Sequence, residues 1–311
     1  MAIVDTLAWV TPLLMSVLGV ILNLLSMGAI LSFKTLRKTK NIFISHLSFC
    51  DFVASICIVI TYIKYLTQLD FSTSFVQHTF GVALVMSLLS TLAIAVERFI
   101  IFYLDPFGNR KIITPFRTTL AFLVSWACVN VMFYLMGYLI RESLYRISKV
   151  ILSSSIWIAI IVTAAFYGII YQKITSASKG IGASDTFLQR RYKVHQKIIV
   201  TFSLVVGTTG LCWLPLTVTE FLKAFPQVHD TPWFIALDRI FFSILCLNQV
   251  LNPIIVWSRM TEFRDKLKVC RRGEREGDRG ENNEQTNLTS VSANVPVNID
   301  SRDNSIFTMS P

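Results

Sequence analysis

The sequence predicts an all-α membrane protein, a bundle of seven transmembrane helices with a short amphipathic helix after the seventh. Three observations lead to this class. Hydrophobic residues make up 53% of the chain and charged residues only 15%, which leaves too little polar surface to cover a water-soluble domain. Seven apolar runs have about the 20 residues needed to cross a bilayer core about 30 Å thick. Lys and Arg are concentrated in alternate connections between the runs, as expected when one side of a membrane retains them.

The seven runs are predicted to be helices, because a backbone in lipid must satisfy its amide groups within the segment. The strands of a membrane barrel would be shorter and would alternate in polarity. We expect the helices to extend beyond several of the run limits. The runs cover residues 6–33, 41–63, 71–96, 118–140, 150–172, 198–219 and 240–258.

The orientation of the bundle follows from the basic residues. Of the 29 Lys and Arg residues, 23 fall on one side of the membrane and six on the other. The side with 23 is predicted to be cytoplasmic, which gives a multi-pass plasma-membrane protein with an extracellular amino terminus and a cytoplasmic carboxyl terminus. The net charge of +10 then reflects topology and does not indicate a nucleic-acid partner. A basic patch of Lys34, Arg37, Lys38 and Lys40 would also attract anionic membrane lipid.

The domain organisation is simple, because the connections between runs leave little room for a second domain. Residues 1–270 are predicted to form the transmembrane domain. Residues 271–311 are rich in Glu, Arg, Asn, Ser and Gly and contain few aromatic residues, so they cannot support a packed core. They are predicted to be a disordered cytoplasmic tail.

The segment after the seventh run is predicted to be an amphipathic helix lying along the inner leaflet. Met260, Phe263, Leu267 and Cys270 fall on one helical face, which is the pattern of an interfacial helix. Cys270 precedes two arginines and fits a palmitoylation site or a free cytoplasmic thiol.

Asp51 is a charge within the second run, where an ionised side chain costs about 3 kcal/mol or more. It therefore needs polar partners or a function. Carboxylate, hydroxyl and amide oxygens would suit a sodium ion, whereas a hydrogen-bonded packing network without an ion is the alternative. The candidate partners are Asn23, Ser87, Asn248 and Asn252.

Two further motifs lie at membrane depth or at its edge. Glu97 and Arg98 end the third run, where they either anchor the helix or allow Arg98 to reach another helix. Pro215 and Pro253 lie within the sixth and seventh runs, and each removes a backbone hydrogen bond and bends its helix. Such prolines serve either movement or packing.

In their order along the chain, these residues resemble the rhodopsin-like (class A) G-protein-coupled receptors, over residues 10–270, as a divergent or orphan member. One such motif is common, but the ordered set is specific. The matching residues are Asn23, Asp51, Ser87, Glu97-Arg98-Phe99, Trp126, Tyr167, Cys212-Trp213-Leu214-Pro215, Asn248, Asn252-Pro253 and Phe263.

The resemblance implies a receptor that transmits an extracellular ligand signal to a heterotrimeric G protein by outward movement of the sixth helix. The Glu97–Arg98 pair would hold the inactive state, and Arg98 would then contact the G protein. Arrestin would bind through the tail. The cluster of Asp51, Ser87, Asn248 and Asn252 resembles the family's sodium site, and no other cofactor is expected. The residues implied in coupling and switching are Glu97, Arg98, Phe99, Tyr167, Trp213, Pro215, Asn252 and Pro253.

Several positions depart from the family pattern. Thr73 stands where the family has a disulfide-forming cysteine, so no extracellular disulfide is expected. Met136 and Ala159 replace the prolines of the fourth and fifth helices. Val256 replaces a tyrosine and Thr209 an aromatic residue, so active-state packing must differ.

The missing disulfide and the short second outer loop resemble the melanocortin and related lipid-receptor branch. However, Thr61, Thr73 and Gln77 stand where melanocortin receptors carry acidic residues for calcium and peptide. Phe80 replaces the aspartate of amine receptors and Cys246 the retinal lysine of opsins. Amines and retinal are therefore not the expected ligands.

The resemblance places a ligand pocket among the outer halves of the helices. An apolar floor with a charged rim would suit a lipid-like molecule or a small peptide. The pocket residues are Gln77, Phe80, Leu84, Ile151, Leu216, Thr217, Glu220, Asp238 and Phe242, with Lys64 and Lys223 near the mouth.

Two other function classes fit the sequence less well than a receptor. A transporter or channel is disfavoured because Asp51 is the only acid deep within a run and no internal repeat is visible. A membrane-embedded enzyme is disfavoured because no metal-binding or nucleophile motif occurs. The main alternative to a ligand-triggered receptor is one that signals constitutively or only modulates a partner receptor. Val256 and Thr209 favour this alternative.

Overall fold

The computed structural model describes residues 2–37, 39–68, 72–104, 112–139, 142–179, 186–225, 231–260 and 263–264. Seven of its helices are long and apolar enough to cross a membrane, which confirms the predicted fold class. The helices are α1 (Ala2–Ser32), α2 (Thr39–Thr67), α3 (Ser74–Phe99), α4 (Pro115–Leu139), α5 (Glu142–Lys179), α6 (Thr186–Leu222) and α7 (Pro232–Arg259).

Several helices are longer than the apolar runs that predicted them. An apolar run marks only the stretch within hydrocarbon, and a helix can continue beyond it because its backbone hydrogen bonds are internal. The largest extension at a single end is in α6, which begins at Thr186 although its run begins at residue 198. At the start of α7, Pro232 occupies the first turn, where its missing N–H costs no helical hydrogen bond.

The helices form a bundle around α3, which packs against α2, α4, α5 and α6, while α1 closes the ring between α2 and α7. The α4 span is the least buried of the seven and presents most of its surface to lipid. We call the end of the bundle at which α3 finishes the Arg98 end, and the end just beyond α6 the Lys223 end.

Gly19 allows α1 to approach α2 closely. A Cβ atom at this position would lie 2.5 Å from the Ser55 hydroxyl oxygen and 3.4 Å from the Gln249 Cβ. Gly28 lies on the same helix, but a Cβ there would meet nothing within 4 Å. The backbone of α1 can therefore reach the polar centre of the bundle only because residue 19 has no side chain.

We expect Gly19→Ala to lower the melting temperature of the purified protein, since overpacking costs about 1–3 kcal/mol. Gly28→Ala is the matched control and should change it little. In the double variant Gly19→Ala/Ser55→Ala the obstructing hydroxyl is gone, so the loss should be smaller than the sum of the two single losses. Equal melting temperatures for the Gly19 and Gly28 variants would contradict this account.

The apolar core is continuous at the Arg98 end, where side chains from six helices and the segment beyond α7 meet. Buried Val256 belongs to this cluster, together with Tyr167 and Phe263. Phe263 is helical and contacts Trp257, with ring centroids 5.6 Å apart. Leu267, Cys270 and the predicted domain boundary at residue 270 lie outside the described residues.

Candidate functional site

Asp51 lies at the centre of the bundle, 1% exposed, and is held by two other helices. The Ser87 hydroxyl of α3 donates to Asp51 Oδ1 at 2.6 Å. The Asn252 amide of α7 donates to Asp51 Oδ2 at 2.9 Å. Two donors thus replace part of the water lost around the carboxylate, and the acid joins α2, α3 and α7.

The other two predicted partners form separate links. Thr209 of α6 donates to Asn248 Oδ1 at 3.2 Å, so the threonine that departs from the family pattern joins α6 to α7. Asn23 donates to the backbone oxygens of Gly19 at 2.9 Å and Gln249 at 2.8 Å, which joins α1 to α7. The structure therefore brings Ser87 and Asn252 to Asp51 directly, and Asn248 and Asn23 to neighbouring positions.

The donor set around Asp51 fits a small hard cation. Hard cations prefer carboxylate, hydroxyl and amide oxygens. Besides the carboxylate and the Ser87 hydroxyl, Asn252 offers a buried side-chain oxygen with no hydrogen-bond partner. Asp51, Ser87 and Asn252 would hold the ion, which would supply a positive charge beside the buried carboxylate.

Glu97 and Arg98 form an ion pair at the end of α3, with 3.0 Å between Arg98 Nε and Glu97 Oε2. The Arg98 side chain is only 5% exposed and the Glu97 side chain 2%. Removing one member of a buried pair leaves the other charge uncompensated and costs about 3–5 kcal/mol. The pair is therefore part of the packed interior and not a solvated anchor.

An aromatic cluster lies next to this pair along the chain and on α5. Phe99 stacks on Tyr103 with ring centroids 5.1 Å apart and contacts Phe166 at 5.0 Å. Tyr167 is buried in the same cluster, near enough to Arg98 for electrostatic interaction. The predicted switch residues Glu97, Arg98, Phe99 and Tyr167 thus lie together.

Trp213 lies between the two ends of the bundle. It is buried against Leu88, Ile156 and Leu245, and it lines a cavity that opens towards the Lys223 end. Pro215 follows within α6, and Pro253 lies within α7 next to Asn252. Each proline removes a backbone hydrogen bond in a helix that contacts both the cavity and the Asp51 cluster.

His46 was not predicted as a site residue, although it links three helices. Trp126 of α4 donates from Nε1 to His46 Nε2 at 3.0 Å, and His46 Nδ1 lies 2.7 Å from the Ser90 hydroxyl of α3. The ring also stacks on Phe122. Because Nε2 accepts, the neutral tautomer with hydrogen on Nδ1 is required. The indole N–H of the half-buried Trp126, which needs an acceptor, was the available signal.

A cavity of about 520 Å³ opens among α2 to α7 towards the Lys223 end, within the size range of small-molecule sites. Its apolar wall includes a contact between Phe80 and Phe242. Eight of the nine predicted pocket residues line it: Gln77, Phe80, Leu84, Leu216, Thr217, Glu220, Asp238 and Phe242.

Ile151 does not line the cavity, so its predicted place in the pocket is wrong. It is 57% exposed on the outer face of α5, whereas Leu152, Ser153 and Ile156 line the cavity. Successive helical residues differ by about 100° around the axis, so an error of one position turns a side chain away from the site. Lys64 also lies outside the lining residues.

An alternating chain of charges joins α5, α6 and α7 at the rim. Lys149 binds Glu220 Oε2, and Lys223 binds Glu220 Oε1 at 2.7 Å and Asp238 Oδ2 at 2.8 Å. Burial opposes the charge on Lys223, but its bonds to Asp238 and Glu220 outweigh that effect and raise the pKa of its ammonium group. Lys223 is therefore charged at neutral pH. We call these four residues the rim chain.

Comparison with known proteins supports the same assignment. The family described as 7 transmembrane receptor (rhodopsin family) matches residues 22–255. Melanocortin receptor 5 of Mus musculus is 26% identical over 267 residues, covering 81% of this chain and 80% of that receptor.

Two further relatives have similar coverage. Melanocortin receptor 5 of Homo sapiens is 26% identical over 278 residues, 84% of this chain and 83% of the receptor. Growth hormone secretagogue receptor type 1 of Oryctolagus cuniculus is 24% identical over 274 residues, with shares of 77% and 73%. The chain belongs to the rhodopsin family of seven-transmembrane receptors, the class A G-protein-coupled receptors.

Proposed function

We propose that this G-protein-coupled receptor acts as a ligand-triggered switch and not as an enzyme. A ligand enters the cavity at the Lys223 end, and the Arg98 end opens to a heterotrimeric G protein. The observation that carries the proposal is the sealed Glu97–Arg98 pair at one end of α3, while Phe80 and Leu84 of the same helix line a cavity at the other end.

The membrane orientation is part of the proposal. The excess of Lys and Arg on the side of the Arg98 end supports a cytoplasmic position for that end. The cavity then opens to the extracellular side, and the carboxyl-terminal tail is available to arrestin. Cys270 is proposed as a palmitoylation site beside the inner leaflet, and the basic residues of the α1–α2 connection as a contact for anionic lipid.

Outward movement of α6 would link the two ends. Trp213 lines the cavity, and Pro215 weakens the backbone two residues later. The Thr209–Asn248 hydrogen bond ties α6 to α7 below that point. A ligand that shifts Trp213 would therefore bias the position of the rest of α6, provided that it binds the open state more tightly than the closed one.

The experiment reconstitutes the full chain in lipid nanodiscs with one purified heterotrimeric G protein of each class. Guanine-nucleotide exchange is measured without added ligand and with lipid and peptide mixtures. We expect exchange above that of receptor-free discs with at least one G-protein class. Exchange that is already maximal without ligand would favour the constitutively active receptor. No exchange with any class, from a receptor with a cooperative melting transition, would reject the proposal.

A further inference from the structure

Charged side chains line the cavity at its Lys223 end. Among the described residues that line it, Lys149, Lys223 and Arg239 are basic, and Glu220 and Asp238 are acidic. In a cavity shielded from water, the charges of these side chains are felt more strongly than at an exposed surface.

The two acids of the rim chain are already occupied. Glu220 accepts from Lys149 on one carboxylate oxygen and from Lys223 on the other. Asp238 accepts from Lys223 on Oδ2 at 2.8 Å and from the Thr219 hydroxyl on Oδ1 at 2.7 Å. All four carboxylate oxygens thus have a donor. A cationic ligand would have to compete with these donors for either acid.

Lys223 is better placed to accept a ligand. An ammonium group has three N–H donors, and Lys223 uses one on Glu220 and one on Asp238. The third donor is available to an anion. The raised pKa of Lys223 keeps it charged, so an incoming anion meets a charge-assisted donor.

The cavity below the rim chain is apolar. Its wall is formed by Phe80, Leu84, Leu152, Leu216 and Phe242. Burying hydrocarbon against such side chains gains about 25 cal/mol per Å². One compartment thus combines an apolar interior with a charged rim, in which Lys223 keeps one unused N–H donor.

We propose that the cavity binds an amphiphile with one anionic headgroup, held by Lys223 and Lys149, and an apolar chain that extends towards Trp213. The proposal rests on the proposed receptor function, since it names the ligand class of that site. A fatty-acid carboxylate and the phosphate monoester of a lysolipid share this chemistry. The one unused N–H donor of Lys223 favours the carboxylate, because a phosphate monoester carries about 1.5 to 2 negative charges and three acceptor oxygens.

Binding is measured without a G protein, so it can succeed or fail independently of coupling. The full chain in phosphatidylcholine nanodiscs is titrated with radiolabelled oleic acid. Oleoyl lysophosphatidic acid, oleylamine and oleyl alcohol serve as competitors with matched chains, and butyric acid as an anion without a long chain. We expect saturable oleate binding. The amine, the alcohol and butyrate should compete at least tenfold less well than unlabelled oleate. Whether unlabelled oleate or the lysophosphatidate competes more strongly distinguishes the two headgroups.

Variants test the two halves of the site. Lys223→Met should weaken oleate binding at least tenfold, whereas Lys223→Arg should retain most of it. Glu220→Gln should strengthen binding several-fold, because it releases Lys149 and Lys223 from a competing carboxylate. Leu152→Trp should block the cavity, and Ile151→Trp is its matched control on the outer face of the same helix.

The variants also separate this ligand class from its alternatives. A cationic ligand or a basic peptide would give the opposite signs, with binding lost in Glu220→Gln and retained in Lys223→Met. Equal competition by acid, amine and alcohol would overturn the headgroup assignment. Equal binding by the Leu152 and Ile151 variants would overturn the cavity as the site. Oleate binding without nucleotide exchange would support this inference and reject the proposed coupling.

Discussion

The Arg98→Ala variant is expected to lose all receptor-dependent nucleotide exchange. Arg98 is the basic member of a buried ion pair at the end of α3, and in the proposed mechanism its guanidinium contacts the G protein once the pair opens. Alanine removes both the pairing group and the contact group. Exchange should fall to the level of receptor-free nanodiscs with every G-protein class that the wild type activates.

Two further variants distinguish loss of contact from loss of folding. Arg98→Ala removes the Arg98 side of the buried pair from the Glu97 carboxylate, and breaking a buried pair costs about 3–5 kcal/mol. The double variant Glu97→Gln/Arg98→Ala removes that charge, so it should melt closer to the wild type and still fail to couple. Glu97→Gln alone releases Arg98 and should raise ligand-independent exchange several-fold.

The matched control removes an arginine at the same end of the bundle. Arg117 is exposed at the start of α4, and Arg117→Ala should keep most of the exchange activity. Equal activity of the Arg98 and Arg117 variants would show that Arg98 has no special part in coupling. No increase in Glu97→Gln would show that the ion pair does not restrain the inactive state.

The second large effect is expected at Asp51. In Asp51→Ala, the Ser87 hydroxyl and the Asn252 amide both lose a buried acceptor. Each unpaired polar group costs about 1–3 kcal/mol, so a drop of several degrees in melting temperature is expected. The isosteric Asp51→Asn keeps the shape but removes the charge that would attract a cation.

Sodium dependence separates a cation site from a packing network. A ligand that binds only the folded protein stabilises it by about 2.7 kcal/mol at a concentration of 100 Kd. Wild-type melting temperature should therefore rise more in sodium chloride than in choline chloride of equal ionic strength. Asp51→Asn should respond equally to both salts. The same sodium increment in the variant would exclude Asp51 as the ligand, and no increment in either protein would favour the packing network.

The bundle and its central acid could be predicted from the sequence because both follow from the cost of polar groups in lipid. A charge such as Asp51 at membrane depth indicates that polar partners must lie near it. It does not say which of several asparagines is in reach, because Asn252 is 201 residues away and its distance depends on how α2 and α7 pack. Asn248 was an equally good candidate, but it binds Thr209.

The pocket shows the limit of reasoning by helix position. On α6 and α7, prolines align the chain with the family, and the predicted pocket residues there line the cavity. On α5, Ala159 replaces the aligning proline, and Ile151 was chosen where Leu152 faces the cavity. The rim chain could not be foreseen as a connected unit, since its links depend on the distances between the ends of three helices.

The rim chain also determines which solution conditions affect the outer part of this receptor. The described cysteines Cys50, Cys57, Cys128, Cys212 and Cys246 are all free thiols, so a reducing agent has no disulfide to break among them. The charged side chains at the rim are about a quarter exposed. Mobile ions screen charges over about 8 Å at 0.15 M salt. The cohesion of α5, α6 and α7 at this end is therefore indifferent to thiol reductants and sensitive to ionic strength.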